Sequence, residues 1–462
     1  MLLFVLAIIS SSFAGAVAAD RIGPGLSTME KAGLGLLMAF GGLAWTLQIL
    51  HSIGVPPGAA AHFSLSMLAG AVALGSLFWR ERRSPNRSVR LISGLRRLFS
   101  TLPPARVGLL LTLAAVASAA SMSSPLLQWD PIAIWAAKAR GLIVADSLSE
   151  VAASSHPHYP IGLPILMAGG LDFAGEPGLK LIGPLFAIGL AAIVLGAMHR
   201  KGFSWVGVLT TAAIVFVPFT LSYTFSPFAD LPMGAVYVAS AIYLSEYIRR
   251  RDRGFLWLSA LLLGAAALVR VEAPLPFAVN LAVLLLFARR SRTRDALLYL
   301  AVFALAWTPW QVISRVALGI DGGFSHLILT PAEDVIRGTF DWPRVGAILE
   351  YFLTRTIRWS WWGFTFPITA AGLIVLFFRD KRAAAVLASL LAGNLAVQVA
   401  EYYSSVNYDT EIAGDKLMYF LESGWDRMTV HWAPLGIYAA GLAVIALLRR
   451  GDSADVLATR PV

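Results

Sequence analysis

Asp130 is the side chain in this sequence best placed to act as a base. It lies in a stretch, 128–140, that is rich in tryptophan and followed by a second aromatic and proline-rich stretch, 156–164. A carboxylate beside apolar surface can have a pKa high enough to accept a proton from a hydroxyl group. The pattern therefore predicts acid–base chemistry on a hydroxyl, with Asp130 as the general base.

A plainer interpretation of Asp130 stays open beside this one. Pro131 suits the first position of a helix, which puts Asp130 at the N-cap. In that interpretation Asp130 only caps a surface helix, Trp135 anchors the helix, and Lys138 and Arg140 are solvated.

Other charged residues could complete a site with Asp130. Arg270 and Arg427 are candidate phosphate ligands, because a guanidinium group can pair two phosphate oxygens at once. Asp230 lies at the end of a predicted span, where it either caps the helix or contacts a ligand. Glu272 follows Arg270 in a short turn, and a weak ion pair at headgroup level is the alternative for these two residues. His156 and His158 alone make a poor metal site, so no metal or other cofactor is predicted.

The composition indicates that a membrane protein carries these residues. Of the 462 residues 57% are hydrophobic and only 14% are charged, and the mean hydropathy is +0.70. Runs of roughly 17–22 apolar residues match the length that a helix needs to cross hydrocarbon. We therefore predict an all-α polytopic membrane protein with about thirteen transmembrane helices, near 3–19, 33–51, 60–79, 107–123, 179–198, 204–222, 228–248, 255–269, 272–288, 296–317, 361–378, 383–400 and 433–448.

The basic residues predict the orientation of these spans. Arginine clusters in 80–106, 249–253, 289–294 and 379–382 all fall on one side if every span crosses. This positive-inside pattern makes that side cytoplasmic and explains the net charge of +10 by topology and contact with membrane lipids. Nucleic acid is not a predicted partner. Cysteine is absent, which excludes disulfides and thiolate chemistry.

The chain divides into three parts on this topology. Residues 1–106 are predicted to hold three membrane helices and a basic cytoplasmic linker, 107–450 the catalytic transmembrane domain, and 451–462 a cytoplasmic tail. Three outer loops, 124–178, 318–360 and 401–432, are long enough to be functional. Helices are predicted within them: the apolar segment 163–174 as a half-inserted or surface helix, and 336–358 as a partly amphipathic helix. A tryptophan cluster at 359–364 marks re-entry through the headgroups.

Three short patches resemble integral-membrane glycosyltransferases of the GT-C superfamily. They are Trp129-Asp130 with Trp135 and Lys138-Ala139, then His156-Pro157 with Tyr159-Pro160 and Pro164, then Phe228-Ala229-Asp230-Leu231-Pro232. The resemblance is to the bacterial group that includes lipid A sugar transferases and protein O-mannosyltransferase-like enzymes. It follows the order of elements over roughly 105–445, but many relatives carry a paired acid where this chain has Pro131, and the three leading spans are additional.

The resemblance implies a polyprenyl-phosphate sugar donor and an inverting transfer to an acceptor hydroxyl on a glycan, lipid or protein. The site would face the periplasm of a bacterial inner membrane, with Asp130 as base. Arg270 and Arg427, with Lys138 in reserve, would bind the donor phosphate. The sugar or acceptor would contact His156, His158, Tyr159, Asp230 and Glu272.

Two alternative functions stay open. A polysaccharide polymerase or ligase would also use a polyprenyl-linked donor and could place its site in 401–432. A transporter or flippase of lipid-linked sugars would place ionisable groups near the bilayer midplane, whereas nearly every charge here lies at the end of a predicted span.

Overall fold

The computed structural model describes residues 2–23, 25–82, 112, 116, 118–123, 128–145, 150–151, 156–288, 292–320, 325–405 and 416–458. Every regular element in these ranges is a helix. The first half contains α1 (Leu2–Ile22), α2 (Thr28–Ser52), α3 (Ala59–Arg82), the π-helix π1 (Pro131–Ala136), α4 (Ala137–Val144), α5 (Gly162–Ala174), α6 (Glu176–Lys180), α7 (Ile182–Arg200), α8 (Ser204–Val215), α9 (Pro218–Thr224) and α10 (Asp230–Arg250). The second half contains α11 (Arg253–Ala266), α12 (Pro274–Phe287), α13 (Arg292–Val312), π2 (Ile313–Ala317), α14 (Ser325–Arg337), α15 (Trp342–Thr356), α16 (Trp359–Trp362), α17 (Thr365–Arg379), α18 (Lys381–Ser405), α19 (Lys416–Val430) and α20 (Ala433–Ala458).

The chain is a helical membrane protein. Within the described ranges, six helices are long and apolar enough to cross a bilayer, or up to eight if each of two bent pairs is one span. The bent pairs are α8 with α9, at 73°, and α19 with α20, at 41°. The predicted number of thirteen spans is not reached by this measure, and most of the predicted span 107–123 lies outside the described residues.

Several predicted spans are shorter in the structure than a full crossing requires. Helices α11 and α12 have 14 residues each and α17 has 15, against the ~20 that span hydrocarbon. Between α11 and α12 the chain forms a buried seven-residue connection, 267–273, where the sequence predicted only a headgroup-level turn. Non-helical backbone at this depth is tolerated because protein, not lipid, surrounds it.

The three leading helices share their core with the rest of the molecule. Helix α2 packs against α5, α7 and α11. Leu37 and Leu47 of α2 are fully buried in the same continuous cluster as Phe186 and Leu258. The boundary predicted at residue 106 lies outside the described residues.

Helix α5 corrects one prediction about the first outer loop. It was expected to be half-inserted or on the surface, but the residues from Gly162 to Gly170 are all buried. Its first nine residues are apolar on every face, so no side of that part can face water, and α2, α4 and α6 cover the helix.

The described part of the second predicted outer loop, 318–360, holds two separate helices, α14 and α15. Helix α14 ends at Arg337, and α15 begins at Trp342 after Gly338, whose φ is +69°. Helix α15 is amphipathic as expected, with Ile348 fully buried. Trp362 differs from the expected headgroup anchor, because it is 1% exposed and donates its Nε1 hydrogen to Oδ1 of Asp426 at 2.9 Å.

Loops predicted to share a side of the membrane do meet in the structure. At one end of the bundle, Arg200 pairs with Glu30 at 2.9 Å and with Glu246 at 3.3 Å. Arg449 donates to the carbonyl of Lys201 at that end. The predicted outer loops meet at the other end, so the fold has two polar poles joined by apolar helices.

Candidate active site

Helix α10 connects the two poles and carries an acid at each. Its 21 residues extend about 30 Å at 1.5 Å per residue. Glu246 lies near the predicted cytoplasmic end, and Asp230 is the first residue at the other end, with a fully buried side chain. The polar groups around Asp230 form the candidate site.

Asp230 is the centre of a cluster of polar contacts, in which both arginines form ion pairs with it. Its Oδ1 lies 3.3 Å from Nη1 of Arg270 and 3.4 Å from Nε2 of His431. Its Oδ2 lies 3.3 Å from Nη2 of Arg427. Asp230 therefore connects three segments that are distant in sequence. Because its carboxylate is engaged in these contacts, it is not free to bind a sugar.

Arg427 connects Asp230 to Asp130. The same Nη2 atom that faces Asp230 lies 2.5 Å from Oδ2 of Asp130. The side chains of Asp130 and Arg427 are 18% and 22% exposed, so solvent or a ligand can reach this pair. The face of the guanidinium group covers the ring of Phe228, whose centroid is 5.3 Å away.

The local structure at Asp130 does not support the capping interpretation. Asp130 has helical backbone angles, φ −60° and ψ −46°, and its side chain makes no capping hydrogen bond. The helix that begins at Pro131 is a π-helix, a rare form that is frequent at functional sites. Trp135 is fully buried and stacks on Tyr159, so it does not anchor a surface helix.

Arg270 is held much more tightly than Arg427. Its Nε and Nη2 atoms donate to the two carboxylate oxygens of Glu272, at 2.9 and 2.7 Å. Its side chain is 5% exposed and that of Glu272 is 4% exposed. The ring of Tyr159 lies against the Arg270 guanidinium, 5.5 Å from its Cζ atom. Two carboxylates and a ring thus surround Arg270.

Lys138 lies behind the site, away from the two arginines. Its side chain is fully buried, and Nζ donates to the carbonyl oxygens of His156, at 2.7 Å, and Tyr159, at 3.5 Å. Burial lowers the pKa of this amine to about 7. The geometry makes Lys138 a support for the 156–159 backbone, where His156 has a left-handed φ of 58°, rather than a phosphate ligand.

The two histidines and Tyr159 form one wall of the site. The ring of His158 meets that of Tyr159 edge-on, with centroids 4.8 Å apart, and the ring of His156 lies 5.0 Å from it. Burial lowers the pKa values of both histidines, that of His158 to about 4, so both rings are neutral near pH 7. Trp310 fixes this wall by donating to the carbonyl of His158 at 3.1 Å.

Two polar residues near the site were not among the predicted site residues. His431 reaches Asp230, as described above. Glu401, at the end of α18, has a buried Oε2 atom with no hydrogen-bond partner among the described residues. Neither residue lies in a recognisable motif, and only the fold brings them to the cluster.

A small cavity adjoins the cluster on the side of His431. It has a volume of about 20 Å³, and its lining contains six apolar residues as well as Glu272, Asn394, Gln398 and His431. Such a volume holds about one water molecule. In the described parts of the chain, no group of three or more histidines and acids is arranged to hold a metal ion.

Comparison with known proteins gives no relative from which a function could be carried over. No family model, curated protein or solved structure matches the chain.

Proposed function

We propose that this chain is a membrane glycosyltransferase that moves a sugar from a polyprenyl-phosphate donor to an acceptor hydroxyl at the outer face. The observation that carries the proposal is the contact of Arg427 with both Asp130 and Asp230. It joins the expected base and an expected phosphate ligand, almost 300 positions apart in the sequence, in one accessible pair. The bacterial inner membrane, with the site facing the periplasm, is the corresponding location.

The charges of the cluster define how a phosphate would bind. Asp130, Asp230 and Glu272 provide three carboxylates against the two guanidinium groups of Arg270 and Arg427. Among these five groups, no positive charge is left over for an added anion. The donor phosphate must therefore replace Asp130 at Arg427, the accessible arginine, while Arg270 stays paired with Glu272 and positions Asp230.

Displacement from Arg427 also prepares Asp130 for its role. Once Asp130 leaves the guanidinium group, its Oδ2 atom is free to contact the acceptor hydroxyl. Asp130 then accepts the proton of the acceptor hydroxyl as the hydroxyl oxygen attacks the anomeric carbon. The bond from that carbon to the phosphate oxygen breaks with inversion, and Arg427 stabilises the negative charge that builds on the leaving phosphate.

The first test is the variant Asp130→Asn in a transfer assay. Purified wild-type protein, supplied with a polyprenyl-phosphate sugar and an acceptor, should release free polyprenyl phosphate. Asp130→Asn should lower the rate about 10²–10⁴-fold, the usual contribution of a general base, while donor binding and thermal stability are retained.

Asp172→Asn is the matched control, since Asp172 is an exposed acid at the same pole. Near-normal turnover in Asp130→Asn would remove Asp130 from the mechanism. Release of polyprenyl diphosphate from the corresponding donor would instead identify a polymerase or ligase.

Glu401 favours a second candidate function, proton-coupled transport of a lipid-linked sugar. Its Oε2 atom is buried without a partner among the described residues, and an acid in such a position is suited to take up and release a proton. Movement of intact lipid-linked sugar across sealed vesicles, driven by a pH gradient and without cleavage, would support this candidate over transfer.

A further inference from the structure

A cavity at the predicted cytoplasmic pole lies at the opposite end of α10 from the candidate active site. Its volume is about 80 Å³, and it lies between parts of α10, α17, α18 and α20, beside Lys201, which follows α7. Such a volume holds roughly five water molecules, and a phosphate group is of similar size. The proposed transfer takes place at the other pole, so this cavity has no part in it.

The lining of this cavity has a charged part and an apolar part. The charged residues of the lining are Lys201, Glu246, Arg249, Asp380, Arg382 and Arg449. The lining also includes buried apolar side chains, among them those of Leu376, Leu387 and Ile445. Because all three arginines of the lining are exposed, the positive charges lie at the mouth and the apolar surface lies deeper. The cavity is therefore suited to an amphiphile with an anionic group.

The buried carboxylate of Glu246 is shared by four cationic side chains. Its Oε2 atom lies 3.3 Å from Nη1 of Arg200 and 2.7 Å from Nη2 of Arg249. The same oxygen lies 2.9 Å from Nε of Arg250, and Nζ of Lys201 contacts Oε1. A single negative charge cannot neutralise four positive ones, so the pairing at Glu246 leaves positive charge beside the cavity.

Positive charge remains in excess when the neighbouring acids are included. Glu30 neutralises one cation of this cluster, because it pairs with Arg200 at 2.9 Å. Asp380 provides one more negative charge, and its Oδ1 atom accepts a hydrogen bond from the backbone of α18 at 3.0 Å. Arg382 and Arg449 contribute two further positive charges. These side chains comprise six bases and three acids, a positive excess that the cluster at the candidate active site lacks.

We propose that this cavity binds the phosphate group of an anionic phospholipid from the cytoplasmic leaflet. The guanidinium groups of Arg249, Arg382 and Arg449 donate to the phosphate, because such groups can pair two phosphate oxygens at once. The apolar lining contacts the first carbons of the acyl chains, which a soluble phosphate does not possess. The cytoplasmic leaflet is rich in anionic lipids, which basic residues at this pole attract. The site is independent of the proposed transfer at the other pole.

The test is Arg382→Gln in the full-length protein, with binding of the first phosphatidylglycerol molecule measured by native mass spectrometry. The substitution removes one exposed guanidinium group from the mouth of the cavity. It should weaken this binding about tenfold, a change of about 1.4 kcal/mol, and leave the melting temperature unchanged. Arg379→Gln is the matched control and should bind as the wild type does, because Arg379 is an exposed arginine at the same pole that does not line the cavity.

Further controls distinguish a specific lipid site from general attraction to a basic surface. Equal binding by Arg382→Gln and wild type, or equal weakening in Arg382→Gln and Arg379→Gln, would overturn the site. Wild-type binding of phosphatidylcholine, which has no net charge, as tight as that of phosphatidylglycerol would overturn recognition by charge. Displacement of phosphatidylglycerol by an equal concentration of inorganic phosphate would overturn the lipid and identify a soluble phosphate ligand. Asp130→Asn should bind phosphatidylglycerol normally, so failure of the transfer and failure of this site are distinguishable.

Discussion

Arg270 and Arg427 carry the same charge but are held differently, and this difference assigns them different roles. Arg270 is 5% exposed and pairs with Glu272 through two hydrogen bonds, whereas Arg427 is 22% exposed and pairs with the accessible Asp130. A ligand can therefore displace Asp130 from Arg427 at a far lower free-energy cost than it could displace Glu272 from Arg270.

Substitution of the two arginines should therefore have opposite main effects. Arg270→Ala leaves the buried Asp230 and Glu272 without their main cation and should destabilise the fold by about 3–5 kcal/mol. Arg427→Lys keeps a charge beside Asp230 but loses the paired donors that fit a phosphate, so it should raise the donor KM about tenfold or more and change stability little. Thermal denaturation and steady-state kinetics of both variants measure the two effects. A stable Arg270→Ala protein, or an unstable Arg427→Lys protein with normal KM, would contradict the assignment.

The sequence predicted the individual side chains of the site better than their partners. Asp130, Asp230 and Arg427 stood out because they are charged residues beside predicted span ends. Their pairing depends on contacts over as many as 297 positions, for Asp130 with Arg427, and no local pattern specifies such contacts. Lys138 shows the same limit: the resemblance made it a reserve phosphate ligand, but its burial is decided by the 156–159 segment that packs over it.

At the scale of the elements, the close approach of α10 to the junction between α19 and α20 builds the site. Gly234 lies one turn after Asp230, and a Cβ atom there would be 2.8 Å from the carbonyl oxygen of Val430 and 3.2 Å from Cα of His431. These neighbours are backbone atoms and cannot rotate away. Glycine at this position thus sets the distance between Asp230 and the segment that carries Arg427 and His431.

Gly234→Ala should separate these two elements by a few tenths of an ångström and impair the site more than the fold. Because a displacement of this kind disturbs precisely oriented groups far more than apolar packing, we expect transfer to fall about tenfold or more while the helical circular dichroism is kept. Gly75→Ala, at a glycine with open space around it, serves as the control. Equal activity of the two alanine variants would show that the close approach at Gly234 does not determine the site geometry.

The sequence predicted the type of the elements more reliably than their environment. The amphipathic character of α15 is confirmed. A helix does contain Pro131, but its helical residues begin at Trp129, so Pro131 is not its first position. The π-helical form of π1 and the burial of α5 were not predictable, because both depend on which helices cover the first outer loop. An apolar segment such as 162–170 is consistent with a surface, half-inserted or buried position, and only the surrounding helices decide which one it takes.

At the scale of the whole molecule, the separation of polar groups into two poles is the main organising feature. The all-helical membrane class and the grouping of loops followed from hydropathy and from the placement of arginines. The number of membrane crossings did not follow from these patterns. Buried connections such as 267–273 replace the ends of helices, and the helices that remain are too short to be recognised as spans by their length.

The two poles predict opposite accessibility from the two sides of the membrane. The chain contains no cysteine, so single substitutions can be labelled without background. Ser52→Cys, at the exposed end of α2, should react with a membrane-impermeant maleimide in intact cells. Asp380→Cys, in the exposed turn between α17 and α18, should react only after permeabilisation. The reverse result would place the Asp130 site on the cytoplasmic side of the membrane and would contradict a periplasmic reaction.

The pairing of Asp130 with Arg427 also bears on the sequence of events during turnover. On the proposed mechanism, an acceptor that arrives at the empty protein finds its proton acceptor already engaged by a guanidinium group. Only the arrival of the lipid ligand releases that carboxylate. The contact therefore imposes an order on the two substrates, because the protein cannot deprotonate the second until the first is in position.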